Sequence, residues 1–209
     1  MKKSLKIPKI IIEYNRFLDP IFINYVQSSP RWKNWPIPSK ETVLKKIRDY
    51  KKEWIKYEKK ILYSLYSITG LNFNRDTIEV YIVSVNPRQF SNPIIIKSGF
   101  SPDEFVDVLT HELIHRLLVI NKIKKKTIID NKYSNEPEIV KSHTIVHALL
   151  KYIYLDILKD KKRLEKNILR SKNHVTNEYM RAWEIVKKEN YIKLIKKFKK
   201  NILIKKDLL

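Results

Sequence analysis

At 209 residues the chain has room for one sizeable core, or for a core with helical extensions, and too little for several independent domains. Hydrophobic residues make up 43% and charged residues 32%, which excludes a disordered chain, and the absence of cysteine excludes disulfides and thiolate metal ligands. The formal net charge of +22 points towards a polyanionic partner such as nucleic acid or an acidic membrane surface, but the lysines are spread along the whole chain, so charge alone assigns no function.

The opening "MKKSLKIPKIIIEYNRFLDP" holds an apolar run bracketed by Pro8 and Glu13, too short for the core of a signal peptide. No stretch approaches a membrane span, and a soluble cytoplasmic protein is expected. The first forty residues otherwise read as irregular, with a short apolar stretch "PIFINYV" and an ordered Pro/Trp-rich loop "SSPRWKNWPIPSK". Ser39 fits an N-cap. Val43, Leu44, Ile47, Trp54, Tyr57, Ile61 and Leu65 then recur at helical spacing, predicting one long helix to Ser67, straight or kinked, with Gly70 as its stop.

After Gly70 the period changes. The runs "TIEVYIVSV" and "PIIIK" read as strands that can pair as a hairpin. "SPDE" starts the next helix, with Ser101 at N-cap, Pro102 at N1 and Glu104 at N3 completing a capping box. Phe105, Val108, Leu109, Leu113, Leu117 and Leu118 carry that helix to about Asn121, where "KIKKK" suits the negative end of its dipole. A polar connection leads into a second apolar-striped helix from Glu138 to Leu158, and "NEYMRAWEIVKK" and "NYIKLIKKFKKNILI" continue the helical pattern. The last of these is either a packed helix with a solvated lysine face or a surface that meets membrane or nucleic acid. Helices, a small sheet, then helices make an α+β fold with helix dominant.

Within the "SPDE" helix stands "HELIH", residues 111 to 115. Positions four apart on a helix differ by about 40° around the axis and about 6 Å along it, so His111 and His115 project from one face and can share one Zn2+. Glu112 points about 100° away, where it can hold a metal-activated water and take its proton without ligating the metal. Two ring nitrogens and a carboxylate near one face would be costly to bury without a partner that satisfies them.

Through this motif and the strands before it, residues 75 to 160 resemble the zincin metallopeptidases. The resemblance implies a small sheet beside the active-site helix, an edge strand that pairs with substrate peptide, for which "PIIIK" or "TIEVYIV" is the candidate, and a second helix carrying a third ligand. The metzincin extension is absent, with Leu118 and Asn121 in place of its glycine and histidine.

A catalytic zinc site needs a third protein ligand, and His143 and His147 lie four apart on the second helix. Either completes a three-histidine site. His147 is favoured as the deeper of the two and is followed by the small Ala148; Glu138 or Glu136 is the fallback. Gluzincins carry a Glu here with an acidic residue four later, where this chain has "HTIVH"; SprT-like proteases use a His, though their usual "HG" is missing. His174 and Tyr179 are candidates to stabilise the transition state.

The expected organisation is a single domain with an N-terminal helical segment over 1–70, a zincin-like core over 71–160 and basic helices over 161–209. The expected function is zinc-dependent hydrolysis of peptide bonds in a peptide or protein substrate, with a DNA-associated or regulatory protease of the SprT-like or IrrE-like kind as a variant. The alternative is a basic nucleic-acid-binding protein with a structural or vestigial zinc site.

Overall fold

The computed structural model describes residues 7–123, 133–173 and 176–206, with side chains as far as 202. It has the α+β class expected, mostly helical with one four-stranded mixed sheet. The chain divides into two compact units, each drawn from two segments. One comprises the chain up to Lys59 together with Asn72–Leu117; the other comprises Lys60–Leu71 and the chain from Leu118 onward. The expected divisions fell at residues 70 and 160, and each of the two units takes residues from both sides of residue 70.

The first unit is built on the sheet. Strand β1 (Lys9–Tyr14) leads through helices α1 (Leu18–Gln27) and α2 (Lys40–Trp54) to the start of α3 (Glu58–Thr69). Strands β2 (Thr77–Val83), β3 (Phe90–Ser91) and β4 (Ile94–Lys97) then precede α4 (Pro102–Ile120), which belongs to this unit as far as Leu117. The strand order is β1-β2-β4-β3. β1 and β4 both run parallel to β2, with Ile10 opposite Ile78 and Ile94 opposite Val80, and only β3 is antiparallel, to β4.

Four expectations change here. "KIIIEY" is a strand rather than irregular chain; its partner β2 begins at residue 77, and a pairing that distant leaves no local signature. "PIFINYV" lies in α1, whose start is held by Asn15 Oδ1 accepting from the amides of Phe17 and Leu18. "TIEVYIV" and "PIIIK" do not form a hairpin; Phe90–Ser91 provides the antiparallel turn-back, so the two longer strands point the same way. Neither is an edge strand. The edges are β1 and the short β3; on β1 the Ile10 amide donates to Glu58 Oε1 at 3.3 Å, and on β4, past the two residues that pair with β3, the Lys97 amide donates to Gln89 Oε1 at 3.1 Å.

The predicted long helix is two helices. Ser39 caps α2, accepting from the Thr42 amide, but after Trp54 the chain makes a tight turn through Tyr57 before α3 starts, with no Gly or Pro to announce it. Gly70 ends α3 at φ +70°, a conformation that costs a side chain. Ile12, Val43, Tyr50, Val80, Ile82, Ile96, Phe105 and Leu109 form the core of this unit. Buried among them is Asp19, whose carboxylate accepts from the Tyr14 hydroxyl, the Ser84 amide and the Ser84 hydroxyl, tying α1 to the end of β2.

The second unit is helical. Its centre is α5 (Glu138–Tyr152), which runs on into a π-helical turn, Ile153–Ile157, and is followed by α6 (Lys161–Lys172), α7 (Glu178–Glu189) and α8 (Tyr191–Lys206). Every residue of α5 from His143 to Leu150 is buried, because α7 and α8 both pack on it. Asn190 at φ +68° turns the chain between those two helices. In α8 the apolar stripe Ile195, Phe198 and Ile202 is buried and Lys193, Lys196, Lys197 and Lys200 are exposed, so its lysines form a solvated face.

Candidate metal centre

The helix that carries the motif is set by its own first turn. The Glu104 amide donates to Ser101 Oγ at 3.2 Å, while the Ser101 amide and hydroxyl donate to Glu104 Oε2 at 3.0 and 2.9 Å, the reciprocal capping box predicted. Phe105, Leu109, Leu113, Ile114 and Leu117 bury the apolar side of α4, which fixes its rotation. His111 and His115 are left half-buried on one face, one turn apart.

Their Nε2 atoms stand 3.1 Å apart. Two nitrogen ligands of one tetrahedral ion at about 2.0 to 2.1 Å would stand about 3.3 Å apart. The pair is therefore already near chelating separation. Without an ion at least one of these nitrogens must carry the hydrogen between them, and a cation on both lone pairs replaces that hydrogen.

The third member is His143. The ligand atoms of His111, His115 and His143 all lie within 4.8 Å of one another, and this group can hold a metal ion. The Nδ1 atom of His143 lies 2.8 Å from the carbonyl oxygen of Ile139. A carbonyl only accepts, so Nδ1 carries the hydrogen and Nε2 is the nitrogen with a lone pair to give. A backbone carbonyl in this role is what orients a metal-binding histidine and settles its tautomer.

Glu112, one residue from the first histidine, is 8% exposed, and burial pushes its carboxyl up to about 7. An acid poised there can accept and return a proton near neutral pH.

The other predicted residues fall elsewhere. His147, favoured from the sequence, is not in the converging trio; it is 1% exposed and its ring stacks on Trp183, 4.3 Å between centroids and 11° between planes. The depth that argued for it puts it in the α5–α7 packing instead. The fallback Glu136 accepts from Arg181 Nε and Nη2 at 2.8 and 2.6 Å, and Glu138 pairs with Lys141. Tyr179 presents its ring edge-on to His143 at 4.4 Å between centroids. His174 lies outside the described residues. Sequence reasoning missed Trp183 and the Ile139 carbonyl; both act through side-chain rotation and helix docking, which residue spacing does not carry. In comparisons with protein families, with curated proteins and with solved structures, the chain matches none.

Proposed function

We propose that this chain is a zinc-dependent metallopeptidase in which His111, His115 and His143 hold the metal and Glu112 is the general base. The convergence of three imidazoles within 4.8 Å, with a buried carboxyl beside the first, supports this reading above any other observation. Three imidazole donors with no thiolate suit zinc, and three protein ligands match a catalytic rather than a closed structural site. Zinc bound there would supply Lewis acidity, polarising a scissile carbonyl and acidifying water.

The chain's own groups do the rest. Glu112 takes a proton from the attacking water onto its carboxylate and passes it to the leaving nitrogen, from a position beside the first histidine that is shielded from bulk water. The Ile139 carbonyl engages His143 Nδ1 and leaves Nε2 as the ring nitrogen whose lone pair would bind the metal. Tyr179, against the His143 ring, is the candidate to support the transition state.

The test is zinc content of protein prepared without a metal-binding tag, combined with hydrolysis of a peptide library. About one zinc per chain is expected, lost in His111→Ala and retained in Glu112→Gln, with hydrolysis falling about 100- to 10,000-fold in the latter. Zinc that binds without any peptide hydrolysis would favour a structural site in a basic nucleic-acid-binding protein. No zinc uptake, or full activity in Glu112→Gln, would sink the peptidase reading.

A further inference from the structure

The first unit carries a surface that the metal centre does not explain. Phe17, Ile21 and Tyr25 are spaced four apart, so they share one face at the start of and along α1, and they are 70%, 61% and 55% exposed. Large apolar side chains usually stand in water singly; three in a row on one helical face mark a contact surface. The face continues sideways. Tyr25 touches Trp32 with ring centroids 5.7 Å apart, and Trp32 touches Trp35 at 6.1 Å. On the other flank Phe22 meets Phe90 of β3 at 6.0 Å.

Cations border these rings. Arg16 lies over Phe17, Arg31 over Trp32, Arg88 over Phe90, and Lys97 over both Trp35 and Phe100. From Arg16 to Lys40 the one acidic residue is Asp19, which is 3% exposed and bonded to Tyr14 and Ser84; from Asn86 to Ser101 there is none. The same two stretches carry Arg16, Arg31, Lys33, Lys40, Arg88 and Lys97. Within these two stretches, then, every charge that reaches the surface is a cation, and it lies beside apolar side chains.

We infer that this face of the first unit docks onto an anionic lipid bilayer, inserting Phe17, Ile21 and Tyr25 at the level of the headgroups while the surrounding arginines and lysines meet lipid phosphates and carboxylates. A second copy of the chain would bring like charges together across the contact. A nucleic-acid strand would need open ring faces, but Trp32, Trp35 and Phe90 already have a cation over them, and aliphatic Ile21 offers no stacking surface. A bilayer interface accepts aromatic and aliphatic groups together, and an anionic one rewards the cations around them.

The experiment is sedimentation of the full chain with vesicles of phosphatidylcholine alone and with phosphatidylserine as about a third of the lipid. Phe17→Ser with Ile21→Ser, and Arg31→Glu with Arg88→Glu, are measured alongside, with thermal unfolding as the control for folding. Association with the anionic vesicles is expected, weakened about tenfold or more in each double variant and by added salt. Brominated lipid should quench tryptophan emission, which reports Trp32 and Trp35 because Trp54 and Trp183 are buried. No association with anionic vesicles overturns the inference. So does equal binding by the Phe17→Ser/Ile21→Ser variant, which would assign the adsorption to lysines elsewhere. Binding of a single-stranded oligonucleotide that these variants abolish, without vesicle binding, makes the face a nucleic-acid surface instead.

Discussion

Among the four histidines of the described residues, identical side chains have been put to different uses by what lies within a few ångströms. His143 has a carbonyl on Nδ1 and His147 has an indole against its ring, although the two are one turn apart on the same helix. Under the proposed zinc site, His143→Ala should therefore lower zinc affinity by more than about 100-fold, measured by competition with a chromogenic chelator, with folding preserved. His147→Ala should keep the zinc and cost about 2 to 4 kcal/mol of stability in denaturant titration, since it empties a packed position. Zinc loss in His147→Ala but not in His143→Ala would reverse the assignment. Glu112 makes a pH prediction for the metal-free protein. Its folded carboxyl is pushed up to about 7 by burial, from an ordinary value of 4.5, so the folded state holds the proton more tightly than the unfolded state does. The stability this contributes is fully present below about pH 4.5 and is lost as pH rises through about 7, on the order of 3 kcal/mol. Urea midpoints of metal-free protein should fall across that range, and Glu112→Gln should flatten the change; an unaltered slope in that variant would show that other groups set it.

Elements are held by local devices and by long-range ones, and the two should fail differently. Ser101→Ala removes the acceptor for the Glu104 amide and half of the capping box on α4, and should cost about 1 kcal/mol. Asp19→Ala leaves the Ser84 amide, the Ser84 hydroxyl and the Tyr14 hydroxyl without their shared acceptor in a buried place, and should cost about 3 kcal/mol or more. Denaturant unfolding of the two variants checks the order; a larger loss from Ser101→Ala would mean that the Asp19 network is worth little beyond its burial. The contrast follows legibility as well. Ser101, Pro102 and Glu104 announce their helix within four residues, and Ser39 and Gly70 mark their ends equally openly. Asp19 gives no such sign, because its donors at Ser84 lie 65 residues away. The break between α2 and α3 was hidden for a related reason: the apolar spacing continues on both sides of a turn that needs neither Gly nor Pro.

At the scale of the whole molecule the excess of positive charge is an energetic load. A formal net charge of +22 on a chain of 209 residues repels itself in the compact state more than in the expanded one. Raising the salt from about 10 mM to about 1 M shortens the screening length from about 30 Å to about 3 Å, and the thermal midpoint should rise by several degrees. A midpoint indifferent to sodium chloride would mean that the lysines are far enough apart, or paired well enough, to ignore one another. What the sequence determined by itself was whatever depends on neighbours within a turn or two: the α+β class, the capped helix under "HELIH", the shared face of His111 and His115, and the amphipathic spacing of α8, since helical geometry converts spacing directly into direction. Which strands pair, that "PIIIK" lies beside "TIEVYIV" in parallel, that His143 converges on the motif while His147 stacks on Trp183, and that Phe17, Trp32 and Phe90 share a surface were decided only by the tertiary structure. Each of those depends on packing between residues far apart in the chain, where the register of one element against another, and not the order of residues along it, sets what meets what.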